Sequence, residues 1–215
     1  MNPKNFGFPM SGKALLFING VPPKEIPNLE GYDLIACSDG AFHYLKAMNF
    51  PLEKLSFISG DFDSHSGADD FIYSDKFIHT PDQDKTDFHK SLEIILSQNI
   101  QDIDVYGGSG GEMDHFLGNL HTALFFKDQM KVTFFDDHSK YFFSPKNLIL
   151  ESVHGKLVSL YPFPEALRVY TAGLNWELKG EDLSVFNKVG TRNIATEEKV
   201  SIQFESGELI VFVGK

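Results

Sequence analysis

A pattern that recurs through the first 140 residues constrains this chain most: a short apolar run, then Gly or Asp, then residues with helical spacing. Apolar runs at 34–37, 55–58 and 103–106 end respectively at Asp39-Gly40, at Gly60-Asp61 and at Gly107. Strands that alternate with helices in this way predict a largely parallel α/β sheet. Helical spacing predicts helices after residues 40, 86 and 112, each with its apolar residues on one face. These residues are Phe42, Leu45 and Met48 in the first helix, Phe88, Leu92 and Ile95 in the second, and Met113, Phe116, Leu117, Leu120 and Leu124 in the third.

The pattern changes near residue 140, where helical spacing disappears and Gly and Pro separate short alternating segments. We expect strands at 157–161, 169–171 and 184–186, and a hairpin in which 200–204 and 209–213 flank a turn at 205–208. The predicted fold is therefore a Rossmann-like, largely parallel α/β domain over residues 1–139, followed by a small antiparallel β domain over 140–215.

Composition narrows the choice of partners. Lys and Arg total 19 against 30 Asp and Glu, a net charge of −11. Such a chain has no electrostatic footprint for nucleic acid or an anionic membrane, and it could hold phosphates only if another cation offset its carboxylates. Cys37 is the single cysteine, no signal peptide is recognisable, and no apolar run reaches the roughly 20 residues of a membrane helix. We expect a soluble, cytoplasmic protein.

Acidic residues follow the predicted strands at four places. They are Asp39, the pair Asp61 and Asp63, the group Asp82, Asp84 and Asp87, and Asp114. In a parallel sheet these positions converge on one rim, where ligands bind. Each Asp alone is explained equally well as a turn or helix N-cap residue. Converging carboxylates, however, repel each other unless a cation lies among them.

Two spacings suggest a metal. Asp61 and Asp63 are two residues apart, so an extended backbone points both carboxylates the same way, an arrangement that suits Mg²⁺. The Asp-x-Asp pattern also occurs in glycosyltransferases and phosphatases. Asp87 and Lys90 are three apart and share a helical face, either as a metal ligand beside a phosphate-binding ammonium or as a surface ion pair.

The segment Gly107-Gly108-Ser109-Gly110-Gly111 follows a predicted strand, where backbone N–H groups can approach a phosphate. It matches neither the P-loop nor the dinucleotide fingerprint, and a flexible turn is the alternative. His115 adjoins Asp114 and is a candidate for the same site. Trp176, the single tryptophan, is on residue type alone more typical of a core than of a ligand platform.

Taken in order, the motifs resemble the thiamine pyrophosphokinase family along nearly the whole chain. The matching segments are Ser-Asp-Gly at 38–40, Gly-Asp-Phe-Asp-Ser at 60–64, Asp-Gln-Asp-Lys-Thr-Asp-Phe-His-Lys at 82–90, Gly-Gly-Ser-Gly-Gly-Glu-Met-Asp-His at 107–115, Gly-Lys-Leu-Val-Ser-Leu at 155–160, Thr-Ala-Gly-Leu-Asn-Trp at 171–176 and Ser-Val-Phe-Asn at 184–187. The ordered set is far more specific than any one motif.

The resemblance implies an α/β catalytic domain, a C-terminal β-sandwich and a homodimer whose active site lies between subunits. It implies transfer of the pyrophosphoryl group of ATP to the hydroxyethyl group of thiamine, with Mg²⁺ or Mn²⁺ as cofactor and AMP as second product. The small molecules thiamine and ATP would be its partners, and an acidic pocket suits thiamine because thiamine is a cation.

Site residues follow from the resemblance by position. Asp61, Asp63 and Asp87 would be catalytic and would hold the metal together with Asp39. The residues implied at ATP are Asp39, Gly40, Asp61, Gln83, Asp84, Lys90, Gly108, Ser109, Gly110, Gly111, Asp114 and His115. Trp176 would stack on thiamine, and Ser184 and Asn187 would contact it through polar groups.

Four positions depart from the family pattern: Ala41, His43, Glu112 and Phe186 stand where Gly, Asn, Arg and a small hydroxyl residue are usual. The Glu112 and Phe186 departures favour one rival hypothesis, a non-catalytic sensor that binds thiamine diphosphate or a nucleotide. A second rival is another Mg²⁺-dependent enzyme with an Asp-x-Asp motif, such as a phosphatase or nucleotide-sugar transferase.

Overall fold

A computed structural model describes residues 12–61 and 72–215. The chain divides into two compact units, Met1–Asp136 and Asp137–Lys215, and each is described by itself. Asp63 falls outside the described residues. Within the part described, no helix is long and apolar enough to cross a membrane.

In its described residues, the first unit contains a parallel sheet of six strands, as the alternation of strands and helices predicts. Its strands are β1 (Lys13–Phe17), β2 (Leu34–Ser38), β3 (Phe57–Gly60), β4 (Phe77–His79), β5 (Asp102–Tyr106) and β6 (Lys131–Phe135). They lie in the order β4-β3-β2-β1-β5-β6, and every neighbouring pair is parallel. After β1, the chain adds β2, β3 and β4 on one side of it and later adds β5 and β6 on the other side. The β1/β5 junction is therefore the topological switch point.

Three described helices belong to this unit: α1 (Asp39–Ala47), α2 (Asp87–Ser97) and α3 (Met113–Phe126). Short 3-10 turns occur at Leu52–Lys54 and Ser74–Lys76. The predicted inner face of α2 is confirmed, since Phe88, Leu92 and Ile95 are all buried. In α1, Phe42 and Leu45 are buried as predicted, but Met48 is the C-cap residue and is only half-buried. The Thr86 hydroxyl begins α2 by accepting the His89 backbone N–H at 3.2 Å.

Helix α3 departs from the predicted burial. Leu120 is buried, but Met113 and Leu117, expected on the same inner face, are exposed. Phe116, one turn from the start, lines a cavity instead of the core. The apolar spacing therefore predicted the helix correctly and its N-terminal packing wrongly, because that half of α3 borders an open site.

A polar network surrounds a buried carboxylate in the sheet of this unit. The Asp104 carboxylate, on β5, accepts the Tyr32 hydroxyl at 2.7 Å and pairs with the Lys13 ammonium at 2.7 Å. Burial, and then the bond to Asp104, raise the pKa of Tyr32 above its ordinary value. The tyrosine therefore stays neutral and keeps donating to a carboxylate that water barely reaches.

We expect Tyr32→Phe to lower the free energy of unfolding by about 1–2 kcal/mol, since a buried carboxylate loses one donor. Urea unfolding measures the change. Because the folded-state pKa of Tyr32 is raised, this contribution is complete below pH 10 and is lost as the pH rises further. Tyr73→Phe, with a ring that packs on Phe42, is the control. An equal loss in both variants would contradict the network's contribution.

The second unit is antiparallel throughout, as predicted, and its residues are all described. Its strands are β7 (Ser139–Phe143), β8 (Asn147–Glu151), β9 (Leu157–Ala172), β10 (Lys179–Ser184), β11 (Gly190–Ile194), β12 (Lys199–Gln203) and β13 (Ser206–Gly214). The long strand β9 pairs with β10, β11, β12 and β13. The segments 157–161 and 169–171, predicted as separate strands, are both parts of it.

The predicted C-terminal hairpin is wrong. β12 and β13 do not reverse at 205–208; both run antiparallel to β9, with Gln203 opposite Tyr170 and Ser206 opposite Leu167. Gly207 has φ +82°, and the register shifts between Gly207 and Leu209. The glycine that resembled a turn signal marks a β-bulge in a continuing strand.

The strand predicted at 184–186 is also misplaced. β10 ends at Ser184, and Val185 and Phe186 lie in the turn that follows. The Ser184 hydroxyl accepts the Phe186 N–H at 3.1 Å, which closes this turn. Val185 and Phe186 both favour a strand, but the hydrogen bond between the Ser184 hydroxyl and the local backbone makes this segment a turn.

Candidate functional site

A cavity of about 580 Å³ opens in the first unit at the carboxyl ends of the strands. Loops on both sides of the β1/β5 switch point line it, 18–22 after β1 and 110–112 after β5. Ser38 and Asp61 line it from the ends of β2 and β3, and α2 contributes its first turn. A pocket at this place is the expected ligand site of an open α/β sheet.

The loops after β1 and β5 pack backbone against backbone. Val21 N–H donates to Ser109 O at 3.0 Å, and Ile18 N–H donates to Tyr106 O at 2.9 Å. A Cβ at Gly107, where φ is +76°, would lie 2.0 Å from Ile18 O, so only glycine fits. The glycine-rich loop thus has a packing role that the sequence analysis did not assign.

The same loop reaches the cavity only through its second half. Gly110 and Gly111 line the cavity, whereas Gly108 and Ser109 do not. Gly108 O accepts the Asn119 side-chain amide at 3.0 Å, and Ser109 O is bonded to Val21. Of the four loop residues predicted to contact ATP, Gly110 and Gly111 are therefore the ones that the structure places at the cavity.

The structure brings three of the predicted acids to the cavity: Asp61, Asp87 and Asp114. Asp39 is buried at the first position of α1 and is not a lining residue, and neither are Gly40 and Asp84. A Cβ on Gly60 would lie 2.4 Å from the Asp39 Cβ. Gly60 therefore lets Asp39 approach the end of β3, where Asp61 follows.

Lys90 is buried, so it does not form the surface ion pair that its three-residue spacing from Asp87 had suggested as one interpretation. It is 6% exposed, and its ammonium contacts Asp87 Oδ1 at 2.7 Å, Thr80 O at 2.9 Å and Asp82 O at 3.2 Å. An ammonium has three N–H donors, so these three acceptors occupy them. Lys90 ties the 80–82 segment to the first turn of α2.

Gln83 and Lys85 line the cavity on the same segment. The Gln83 amide lies 3.5 Å from Asp61 Oδ2, and the Lys85 ammonium bonds Glu93 Oε1 at 2.7 Å. The bond to Glu93 raises the pKa of Lys85. Lys85, Ser38 and the 19–22 loop are lining residues that the sequence analysis missed. The Asn19-Gly20 pair after the first strand was a usable signal for that loop.

Ser38 adds an unsatisfied donor at this site. It is the N-cap residue of α1, yet its hydroxyl makes no capping bond to the helix. The hydroxyl is buried and has no hydrogen-bond partner among the described residues. A buried donor without a partner is costly, so a ligand oxygen in the cavity would stabilise it.

Acids outnumber bases at the cavity. Among its described lining residues the carboxylates are Asp61, Asp87, Glu112 and Asp114, and the ammonium groups are Lys85 and Lys90. A phosphate ligand would add further negative charge, which only a cation can offset. Clustered carboxylate oxygens are the ligands that Mg²⁺ and Mn²⁺ prefer, so the residues present fit a divalent metal.

At the rim of the cavity, ligand atoms of Glu112, Asp114 and His115 lie within 4.8 Å of one another. His115 Nε2 is 3.5 Å from Glu112 Oε2, and Asp114 Oδ1 accepts the His115 backbone N–H at 2.9 Å. All three are exposed. Glu112, the departure from the family pattern, thus contacts a histidine and adds a carboxylate to the site.

In the second unit, Trp176 is 63% exposed rather than part of the core. Asn193 holds its backbone through two hydrogen bonds: Asn193 Oδ1 accepts Trp176 N–H at 3.1 Å, and Asn193 Nδ2 donates to Trp176 O at 2.7 Å. A bulge in β11, with Arg192 at φ +58°, precedes Asn193. Bulges of this kind re-aim side chains. Asn193 carries no motif signal and was not predicted from the sequence.

Ser184 and Asn187 share the turn after β10. Asn187 N–H donates to Ser184 O at 3.1 Å, while the Ser184 hydroxyl is engaged by Phe186 N–H. The Phe186 side chain is 88% exposed. The turn therefore presents an aromatic ring and an amide side chain to solvent, and the serine hydroxyl serves the turn itself.

Two family models match the chain. Residues 28–134 match the thiamin pyrophosphokinase catalytic domain, and residues 146–209 match the thiamin pyrophosphokinase vitamin B1 binding domain. Thiamine pyrophosphokinase 1 of rice (Oryza sativa subsp. japonica) is 32% identical over 139 residues, 58% of this chain and 52% of the rice protein. Thiamine pyrophosphokinase of Bacillus subtilis is 25% identical, and the alignment covers 93% of this chain and 97% of the Bacillus protein.

Solved structures show the same fold. A thiamin pyrophosphokinase family protein from Enterococcus faecalis superposes with a TM-score of 0.81 at 22% identity, covering 94% of this chain and 99% of its own. Yeast thiamin pyrophosphokinase superposes with a TM-score of 0.80 at 18% identity, and the match covers 94% of this chain and 86% of the yeast chain.

The fold and the matches define a class: enzymes that join a parallel α/β catalytic domain to a vitamin-binding β domain. The catalytic and vitamin-binding models match the two parts in chain order and together span most of the residues. The chain belongs to the thiamin pyrophosphokinase family.

Proposed function

We propose that this chain transfers the pyrophosphoryl group of ATP to the hydroxyethyl oxygen of thiamine, yielding thiamine diphosphate and AMP. One observation carries the proposal. The catalytic-domain model covers the acids of the cavity and its other lining residues from Ser38 to Asn119, and the vitamin B1 model covers the segment that contains Trp176.

The cavity would take the polyphosphate of ATP. Gly110 and Gly111 line it without side chains, so their backbone can approach phosphate oxygens closely. The unpartnered Ser38 hydroxyl supplies a further donor. Lys90, held by three protein acceptors, would act mainly by fixing Asp87 and the 80–82 segment.

Asp61 and Asp87, with Asp63 and Asp39, would hold Mg²⁺, or Mn²⁺ in its place. When bound, the metal would neutralise phosphate charge and help to align the reacting groups. Gln83, 3.5 Å from Asp61, would orient that carboxylate. Lys90, 2.7 Å from Asp87, would orient the other.

In the transfer, the thiamine hydroxyl oxygen forms a bond to the β-phosphorus of ATP. The bond from that phosphorus to the oxygen bridging the α- and β-phosphates breaks, and AMP leaves with the bridging oxygen. The hydroxyl proton passes to a carboxylate, Asp61 or Asp87, late in the reaction. Positioning and electrostatics supply most of the acceleration.

For thiamine we propose stacking on the exposed Trp176 ring, a favourable face for a cationic aromatic ligand. Asn187 and Ser184 would provide polar contacts. The homodimer with its active site between subunits, and the cytoplasmic location, stay predictions from the resemblance and the composition.

A single assay tests the reaction. The protein is mixed with ATP, Mg²⁺ and thiamine, and the products are separated by chromatography. We expect AMP and thiamine diphosphate to appear together in equal amounts, and neither to form when thiamine is omitted.

Other products would contradict the proposal. Inorganic phosphate or a nucleoside diphosphate would indicate another Asp-x-Asp enzyme. Binding of thiamine diphosphate or nucleotide without turnover would indicate a sensor.

A further inference from the structure

We propose that Lys85 is the exchangeable phosphate-binding cation of the nucleotide cavity: its ammonium exchanges Glu93 for a phosphate oxygen of ATP. The proposal rests on the proposed function for the identity of the nucleotide. It adds a residue that neither the motif resemblance nor the acidic cluster singled out.

The cavity needs such a cation because its other lysine is fully engaged. Lys90 is buried, and Asp87, Thr80 and Asp82 accept from it. His115, the further candidate among the described lining residues, lies beside Glu112 and Asp114. Lys85 is therefore the lining lysine with donors not already committed to three protein acceptors.

Lys85 is placed to make the exchange. It lines the cavity with Asp61 and Asp87, and its ammonium has one close carboxylate, Glu93 Oε1 at 2.7 Å; Asp82 Oδ2 is 3.9 Å away. The side chains of Lys85 and Glu93 are 37% and 43% exposed. Exposed ion pairs contribute little to stability, so leaving Glu93 costs little.

A phosphate would be the better partner. It carries more charge than a carboxylate, and hydrogen bonds between two charged groups are the strong ones. Lys85 also precedes Thr86, the N-cap of α2, where the helix dipole favours an anion. The ion pair with Glu93 thus gives the Lys85 ammonium an exposed partner that a phosphate can replace when nucleotide arrives.

The test relies on two substitutions with opposite expected effects. The probe is α,β-methylene-ATP with Mg²⁺, whose binding is measured by calorimetry without thiamine. Lys85→Gln is expected to weaken binding about five- to tenfold. Glu93→Gln is expected to tighten it about two- to threefold, because it frees the ammonium.

A double variant separates release of Lys85 from a general loss of negative charge. If Glu93 acts through Lys85, Glu93→Gln has no effect on binding in the Lys85→Gln background. Lys131→Gln, which removes an exposed lysine paired with Asp102 at 3.1 Å and absent from the cavity lining, is the control and should leave binding unchanged.

Three results would overturn the proposal: unchanged binding in Lys85→Gln, weakened binding in both single variants, or an undiminished effect of Glu93→Gln in the double variant. Weakening in both would mean that the ion pair is structural. These outcomes are independent of turnover, so a wild-type protein that binds the probe but makes no AMP would refute the proposed function alone.

Discussion

Asp61→Asn is expected to reduce the rate of AMP formation by about a thousandfold or more while leaving the fold intact. Asp61 lies at the end of β3 and lines the cavity. Its amide analogue keeps the shape but cannot offset a metal's charge, and lost electrostatic stabilisation of phosphoryl transfer has effects of this size. Turnover at saturating ATP and thiamine, over a range of Mg²⁺ concentrations, measures the change.

Asp75→Asn is the matched control, since Asp75 lies in the exposed turn Ser74–Lys76 of the same unit and is not a lining residue. It should keep wild-type turnover. Both variants should keep the wild-type circular dichroism spectrum and melting temperature within a few degrees. Substantial turnover in a folded Asp61→Asn protein would remove Asp61 from the metal site.

Trp176→Ala is expected to raise the KM for thiamine by about 5- to 150-fold, with little change in the KM for ATP. Removing an aromatic stacking platform costs about 1–3 kcal/mol per stacked ring, which corresponds to that range. Because the indole is exposed, its loss should not open a cavity in the core. Initial rates measured against each substrate in turn separate the two constants.

Asn193→Ala should also raise the KM for thiamine, but by a smaller factor, because it frees the Trp176 backbone and keeps the indole ring. Ile149→Ala is the control: its side chain, 65% exposed on β8 of the same unit, matches Trp176 in accessibility. Equal rises in both KM values for Trp176→Ala would point to a structural role rather than a thiamine contact.

Much of the fold could be predicted because its elements are coded locally. Apolar runs ending in Gly or Asp predicted parallel strands, and Phe88, Leu92 and Ile95 predicted the buried face of α2. The errors came where local signals were ambiguous. Gly207 favours a turn and a bulge equally, and only its pairing with Ala166 on β9, with a register shift before Leu209, makes it a bulge.

The candidate site likewise has features that could be predicted from the sequence and features that could not. The acids after the strands could be found because parallel strands bring their carboxyl ends to one rim. The hydrogen-bond and ion-pair partners of each charged side chain could not be found in this way. Lys90 and Lys85 are both lysines near Asp87 in sequence, yet one is buried with three acceptors and the other shares an exposed pair with Glu93. Burial and distance distinguish them, and neither is a property of residue type.

By itself, the sequence determined the two-part organisation, the parallel sheet, the excess of acid and the family, because spacing and residue type encode them. Tertiary structure alone decided that the 19–22 loop completes the cavity and that Asn193 holds Trp176. Contacts between residues distant in the chain create both features. Their free energy depends on where chain segments meet, which no local pattern specifies.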